Sequence, residues 1–369
     1  MTLSPLASTE DVRRIARDVL APLAHAGTPG RVNRALVRAL GEHGLLEPVL
    51  PPDGRTSARE LCRIREALAT ESAEAETAFA LQGLGTHPVV GAGRPEVAER
   101  WRQAVLAGEA VAAFALTEPQ AGSDVAAVSL AAERDGNGWR LTGTKKWISN
   151  APEADFYTVF ARTTKDAGAR GLTAFVVEAN AEGLSGEPLT IVSPHAIGTL
   201  ELDGVLVDDD ARLGDVDAGF KVAMATLNVF RPSVGAGAVG MAQAALDAAV
   251  AHAAERVAFG KPLRDHQAVS HSLAEMATRL EAARALVSRA ATAYDDGEPG
   301  VPKLSAMAKL FATETAQYVV DAAIQVHGAA ALEQGHLLES LYRDVRSLRI
   351  YEGASEIQRE IVARELYRG

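Results

Sequence analysis

Apolar and polar positions change rhythm twice along this chain. In residues 1–110 apolar side chains recur every three or four positions. Val12, Ile15, Ala16, Val19 and Leu20 fall at helical spacing, and so do Leu36, Val37 and Leu40. Gly41, Gly44, Pro48, Pro51, Pro52 and Gly54 punctuate these runs, since glycine and proline interrupt helices. From 111 to 208 the period shortens. Val111–Leu116, Phe156–Ala161 and Leu172–Val177 are brief apolar runs that predict buried strands. Asp135-Gly-Asn-Gly138 ahead of Trp139-Arg-Leu-Thr142 predicts a hairpin. Leu200–Val207 alternates imperfectly around Asp203-Gly204. This span reads as a small barrel or a sandwich. In 209–369 the helical period returns, from about residue 217. Leu273, Met276, Leu280, Ala283 and Val287 advance in steps of three and four, the seam of a helix bundle. Asp295–Gly300 reads as a loop between two bundle helices.

Composition narrows the function classes. The chain has 369 residues, 47% hydrophobic and 23% charged, as in an ordinary globular protein. A formal charge of -11 argues against a general nucleic-acid binder, which needs basic surface to displace counterions. The single cysteine, Cys62, excludes an intrachain disulfide; its helical setting with Leu61, Ile64 and Leu68 favours packing over nucleophilic work. No early segment reads as a signal peptide, no run of about 20 apolar residues reads as a membrane span, and no metal site is expected. A soluble cytoplasmic protein is the expectation.

Three segments carry the candidate chemistry. Tyr351-Glu-Gly-Ala-Ser-Glu-Ile-Gln-Arg359 sets a carboxylate beside a glycine at the start of a helical run. Phe114-Ala-Leu-Thr-Glu-Pro-Gln-Ala-Gly-Ser-Asp124 follows an apolar run, and Lys146-Trp-Ile-Ser-Asn150 lies downstream. Taken singly, the second segment is equally a turn closing a strand, with Trp147 in the core. Thr117 offers a hydroxyl and an N–H, and Gly122-Ser123 permits close backbone approach to a phosphate.

Together and in this order, these segments resemble the acyl-CoA dehydrogenase family of flavoenzymes. The resemblance implies an α+β chain of that fold: an N-terminal helical domain (1–110), a central β-barrel-like domain (111–208) and a C-terminal four-helix bundle (209–369). It implies FAD. Phe114, Leu116, Thr117, Trp147, Ile148 and Ser149 would meet the isoalloxazine, with Ser149 near N5, and Gly122 and Ser123 the pyrophosphate. Arg256-Val-Ala-Phe259-Gly-Lys, with His266 and Gln267 after it, resembles the element that reaches a neighbouring subunit's FAD; it also reads as a helix end complemented by Arg256 and capped by Gly260. Gln325, Gly328 and Ala329 would serve the adenosine end, while His327 reads as a packed helix residue. Ala354 and Glu356 complete the cofactor set.

On the substrate side the resemblance assigns Glu352 as the base that removes the α-proton of an acyl thioester. Ser123, Asn228, Arg231, Tyr351 and Gly353 would line the acyl site. Pro232 lacks an N–H, so the Asn228 carbonyl is either free to face substrate or marks a kink. Small residues from 233 to 240 allow close helix contact. Phe230, where some relatives place the base, cannot act as one.

The chain departs from the family pattern after Pro51-Pro52, at Ser193–Thr199, and at Ala329 and Ala331, where glycines are usual. This divergence is similar to that of enzymes serving hydroxymalonyl or methoxymalonyl extender units, and implies a short polar acyl group on CoA or an acyl carrier protein in polyketide biosynthesis. Glu74, Glu76 and Gln82 disfavour a wholly apolar acyl channel. Arg31, Arg34 and Arg38 form a candidate carrier-docking helix face. An electron-transfer flavoprotein is the expected acceptor, and a homodimer or homotetramer the expected assembly. An oxygen-using oxidase or monooxygenase of the same fold, or a non-catalytic scaffold, are the alternatives.

Overall fold

The computed structural model describes residues 8–367. Among them six helices come first: α1 (Thr9–Ile15), α2 (Ala21–His25), α3 (Arg34–Glu42), α4 (Ala58–Glu71), α5 (Ala73–Ala92) and α6 (Pro95–Leu106). Side-chain caps fix the starts of α1, α3 and α4. Asn33 accepts from the Leu36 N–H at 3.0 Å to open α3, and Ser57 caps α4.

Strands follow: β1 (Ala112–Ala115), β2 (Ala131–Asp135), β3 (Gly138–Ser149), β4 (Phe156–Arg162), β5 (Leu172–Glu178), β6 (Leu184–Ser185), β7 (Ile197–Asp208) and β8 (Arg212–Leu213). They form one sheet in the order β6-β7-β3-β2-β4-β5-β8, with β1 parallel to β4. The β2–β3 hairpin turns where the Asp-Gly-Asn-Gly signal placed it. One face of the sheet closes over Leu141, Val159, Phe175, Val177 and Val205, all fully buried.

The rest is helical: α7 (Gly219–Glu255), a two-residue hairpin of β9 (Val257–Ala258) and β10 (Lys261–Pro262), then α8 (Gln267–Asp295), α9 (Val301–His327), α10 (Leu337–Leu348) and α11 (Ser355–Leu366). The α8 seam is buried at Met276, Leu280, Ala283 and Val287, and Leu273 is half-buried. The small residues of α7 are there for contact: a Cβ on Gly235 would lie 2.8 Å from Val287, and one on Gly240 2.4 Å from the Glu66 carbonyl oxygen. Helix α7 runs on through Pro232 without a break. It is also the one described helix long and apolar enough to cross a membrane, and most of it is buried in the fold.

Contacts group the described chain into two units. One holds 18–56 and 77–227, the other 8–17, 57–76 and 228–369. The first is the sheet with α2, α3 and α6 and most of α5; the second is the bundle with α1, α4 and the first turn of α5. Cys62 is buried in α4, and burial pushes its thiol up to about 12, so it packs and does not attack.

Two expectations are corrected. Arg31, Arg34 and Arg38 do not share one helix face: α3 begins at Arg34, Arg31 precedes its cap, and Arg31 and Arg34 pair with Glu153 and Asp155. Gly260 does not cap α7 either. Phe259 and Gly260 are the two turn residues between β9 and β10, both left-handed at φ 51° and 80°, as a tight hairpin demands.

Candidate active site

Each unit carries its own group of the predicted residues. In the sheet unit, β1 delivers Phe114, whose ring packs 4.9 Å from that of Phe160, then Leu116 and half-buried Thr117. A buried ion pair stakes this loop. Lys145 Nζ donates to Glu118 at 2.9 Å and to the Leu116 carbonyl at 3.0 Å. Glu118 also accepts from the N–H groups of Ser129 and Leu130. Burial would raise the Glu118 carboxyl, but Lys145 and those donors hold it below its usual range; burial lowers Lys145 to about 8. The Thr117 carbonyl accepts from the Lys146 N–H at 3.0 Å, tying the loop to β3.

A bulge then re-aims β3. Its ladder to β7 slips between Lys145 and Ile148, and Trp147 sits there at φ 57°. This turns the indole outward: Trp147 is 47% exposed, not a core residue. Ile148 points the other way, its side chain 1% exposed in the sheet core. Ser149 is half-buried, its Oγ 3.3 Å from His195 Nε2. Burial lowers the His195 pKa, so the ring is neutral near pH 7. Gly122 and Ser123 lie exposed, and a Cβ on Gly122 would meet nothing. An exposed indole, a hydroxyl pair and an open glycine suit the face and edge of a large planar ring.

In the bundle unit, the turn between α10 and α11 carries Glu352, the candidate base. Glu352 and Gly353 both hold positive φ, 50° and 97°. Such a conformation is strained for glutamate and persists only where its surroundings dictate it. The Gly353 carbonyl accepts from Lys309 Nζ at 2.8 Å and Gln358 Nε2 at 2.9 Å. Ser355 anchors the far side, its hydroxyl donating to Glu314 at 2.8 Å. Glu352 Oε2 is buried with no hydrogen-bond partner. Burial raises the Glu352 pKa, opposed by Arg65, Lys309 and Arg231 and reinforced by Glu76. The result is a carboxylate poised to accept a proton. Tyr351 is half-buried beside it, and burial pushes its phenol up.

Arg231 is 8% exposed; its Nη1 donates weakly to Asn228 at 3.4 Å and its Nε has no partner. Arg65 and Glu76 form a buried pair at 2.5 Å, and Arg65 donates to Ser233 at 2.7 Å. Gly237 makes room for it, since a Cβ there would lie 2.6 Å from Glu76 Oε1.

The remaining predicted cofactor residues of this unit lie between α7 and the start of α8, at the end of α9, and at the start of α11. His252 stacks on His327 at 4.2 Å, and Arg256 lies close enough to depress the His252 pKa, after burial and His327. The last turn of α7 and the end of α9 therefore meet at this histidine pair. His327 is packed, its Nδ1 2.8 Å from the Ala323 carbonyl. His266 braces the β9–β10 hairpin through the Ala258 carbonyl at 3.1 Å. Phe259 is 97% exposed at its tip, and Gln267, Gln325, Gly328 and Ala329 are exposed. Ala354 caps α11 and Glu356 pairs with Arg359.

Sequence reasoning missed Lys309, Gln358, the Arg65–Glu76 pair and the Lys145–Glu118 pair as site builders. Lys309 had a signal: a single charge inside Ala306-Met-Ala-Lys-Leu-Phe311. The others join residues distant in sequence or unremarkable locally.

Family models cover nearly the whole chain: acyl-CoA dehydrogenase N-terminal domain over 6–109, middle domain over 113–205 and C-terminal domain over 217–367. Cyclohexane-1-carbonyl-CoA dehydrogenase of Geobacter metallireducens is 36% identical over 366 residues, 97% of this chain and 96% of the relative. A glutaryl-coenzyme A dehydrogenase in complex with glutaryl-CoA superposes with a TM-score of 0.91 at 33% identity, covering 98% of this chain and 94% of that one. PigA with FAD and proline superposes at 0.92 with 26% identity, covering 98% and 97%.

Proposed function

The chain belongs to the acyl-CoA dehydrogenase family and is an FAD-dependent oxidoreductase of CH–CH bonds; from that premise we propose that it dehydrogenates a short, polar acyl thioester, with Glu352 as the base. One observation carries the assignment: a buried, unpartnered carboxylate oxygen on a strained turn, within the field of three cations. Bound FAD supplies the hydride acceptor. The residues fit it: Trp147 offers an exposed aromatic face, Thr117 and Ser149 offer hydroxyl donors, and Arg256 with Gln325 offers donors for the remote half.

The chain's own work is proton chemistry. An α-carbon acid beside a thioester is weak, so the base must be held within hydrogen-bond reach and kept desolvated but ionised. Burial desolvates Glu352, and Arg65, Lys309 and Arg231 favour its ionised form. Glu352→Gln keeps the shape and removes the basicity. It should retain FAD and slow flavin reduction by about two to four orders of magnitude. Reduction at the wild-type rate would place the base elsewhere.

The short polar acyl group is supported by Arg65 and Glu76, buried charges in the electrostatic range of Tyr351 and Glu352. A long fatty acyl chain wants apolar walls, at about 0.8 kcal/mol per buried methylene, and this pair supplies none. The tether we propose is CoA or an acyl carrier protein, the latter in polyketide extender-unit supply. For the carrier reading, pairing of Arg31 and Arg34 leaves Arg38 as the exposed arginine without an acidic partner among the described residues. Stopped-flow flavin reduction with a three-carbon acyl-ACP, the same acyl-CoA, butyryl-CoA and octanoyl-CoA separates these. Octanoyl-CoA faster by tenfold or more would reject the short polar substrate. The acceptor we propose is an electron-transfer flavoprotein; peroxide formed without it would instead favour the oxidase alternative.

A further inference from the structure

We propose that Lys309 is the positioning residue of the base: its ammonium fixes the left-handed turn that presents Glu352 and favours the charged form of that carboxylate. This rests on the assignment of Glu352 as base.

The geometry begins with a buried charge in an apolar stretch. Lys309 is fully buried in α9. Such a cation is normally paired with a carboxylate, because burial strips its hydration. Among the described residues Lys309 makes no ion pair within 4.0 Å. Its hydrogen bond goes to the Gly353 carbonyl at 2.8 Å. A carbonyl has two lone pairs, and Gln358 Nε2 takes the second at 2.9 Å. Gln358 is itself fully buried and also reaches the Glu352 carbonyl at 3.4 Å.

Two donors from two helices thus converge on one peptide. That peptide follows a glutamate held at φ 50° and belongs to a glycine at φ 97°. A Cβ on Gly353 would lie 2.3 Å from Gln358 Nε2, so the clamp closes only over glycine. With the backbone clamped, the Glu352 side chain needs no partner of its own, and Oε2 has none.

A neutral donor would suffice for the hydrogen bond alone. The charge has a second use. The groups facing Lys309 are Glu352, Arg231, Glu314 and Glu356; those facing Glu352 are Arg65, Lys309, Arg231 and Glu76. Lys309 is the one among these that both touches the turn and opposes the effect of burial on the base. Burial, offset in part by Glu352, sets Lys309 at about 8, so it carries its charge at neutral pH.

Three variants separate the roles, read by anaerobic stopped-flow reduction with the fastest thioester of the panel above. Lys309→Met removes donor and charge, Lys309→Gln keeps a donor, and Lys309→Arg keeps both. Lys309→Met, folded and FAD-loaded, should reduce its flavin about 100-fold more slowly with half-saturation changed less than threefold. Its acidic midpoint in the pH–rate profile should rise by about one unit, because an opposite charge near the base is gone. Lys309→Gln should show the same midpoint shift with a smaller rate loss, and Lys309→Arg should recover most of both. A folded Lys309→Met or Lys309→Gln with the wild-type rate and midpoint overturns the proposal. If Lys309→Met does not fold, Lys309→Gln decides alone. Glu352→Gln measured in parallel keeps the two readings apart: a wild-type rate there removes the base assignment itself, whatever the Lys309 variants do.

Discussion

At the residue scale, two titratable sites answer different questions. The Lys145–Glu118 pair, both members at most 1% exposed, holds the Thr117 loop from below. Removing one member of such a pair strands the other charge, at about 3–5 kcal/mol. Lys145→Met should therefore lower the melting temperature and release FAD more readily, and Lys145→Met with Glu118→Leu should recover part of the loss. Equal stability of the single variant and the wild type, by calorimetry, would refute the role. His87 concerns pH. Burial lowers its pKa from 6.5 to about 4, with Nδ1 3.0 Å from Thr226 Oγ1. The folded value lies below the unfolded one, so between pH 6.5 and 4 the unfolded chain binds the extra proton. Stability then falls on acidification through that window, by on the order of 3 kcal/mol at most from this group. His87→Gln should flatten the fall; an unchanged slope of melting temperature against pH would exclude His87 as its source.

At the element scale, legibility followed locality. The strands and the β2–β3 hairpin could be read because their signals lie within one short segment: apolar runs, then Asp-Gly-Asn-Gly. The α8 seam was readable for the same reason. The bulge at Trp147 was not, because it depends on how β3 pairs with β7. The clamp on Gly353 was not, because it joins α9 and α11 to a turn. Gly260 was misread because a glycine after a helix resembles a cap until the next two residues fold back. The glycines of α7 were legible as small but not by their tasks. Gly240→Ala would put a methyl 2.4 Å from the Glu66 carbonyl oxygen and 2.7 Å from Ala69 Cβ, on α4. Overpacking of this kind costs about 1–3 kcal/mol. Gly91→Ala in α5, where a Cβ meets nothing, should be neutral or stabilising by up to about 1 kcal/mol. Paired denaturation curves test both, and an undisturbed Gly240→Ala would mean that α4 and α7 can part at no cost.

At the scale of the whole molecule, the question is what the fold leaves uncovered. Phe259 is 97% exposed on a hairpin tip and Leu332 69% exposed. Scattered apolar side chains on a surface need no explanation, but Phe259 sits beside Arg256, in the element that resembles one reaching a neighbour's cofactor. A hairpin braced by His266 holds this bare ring in a fixed place on the surface of its own chain. We therefore predict at least a dimer, burying on the order of 1,600 Å² or more as stable interfaces do. The net charge of -11 sets a long-range repulsion between copies that salt screens, so the assembly should persist or tighten as ionic strength rises. Arg256→Ala should lower the FAD-to-protein ratio after gel filtration while leaving the melting temperature of the apoprotein nearly unchanged, because Arg256 is exposed within its own chain. Light scattering coupled to that filtration measures mass and flavin absorbance together. A monomeric peak with a full flavin complement and full activity would show that one chain holds its cofactor alone, and the reading of the Arg256–Phe259 element would fall with it.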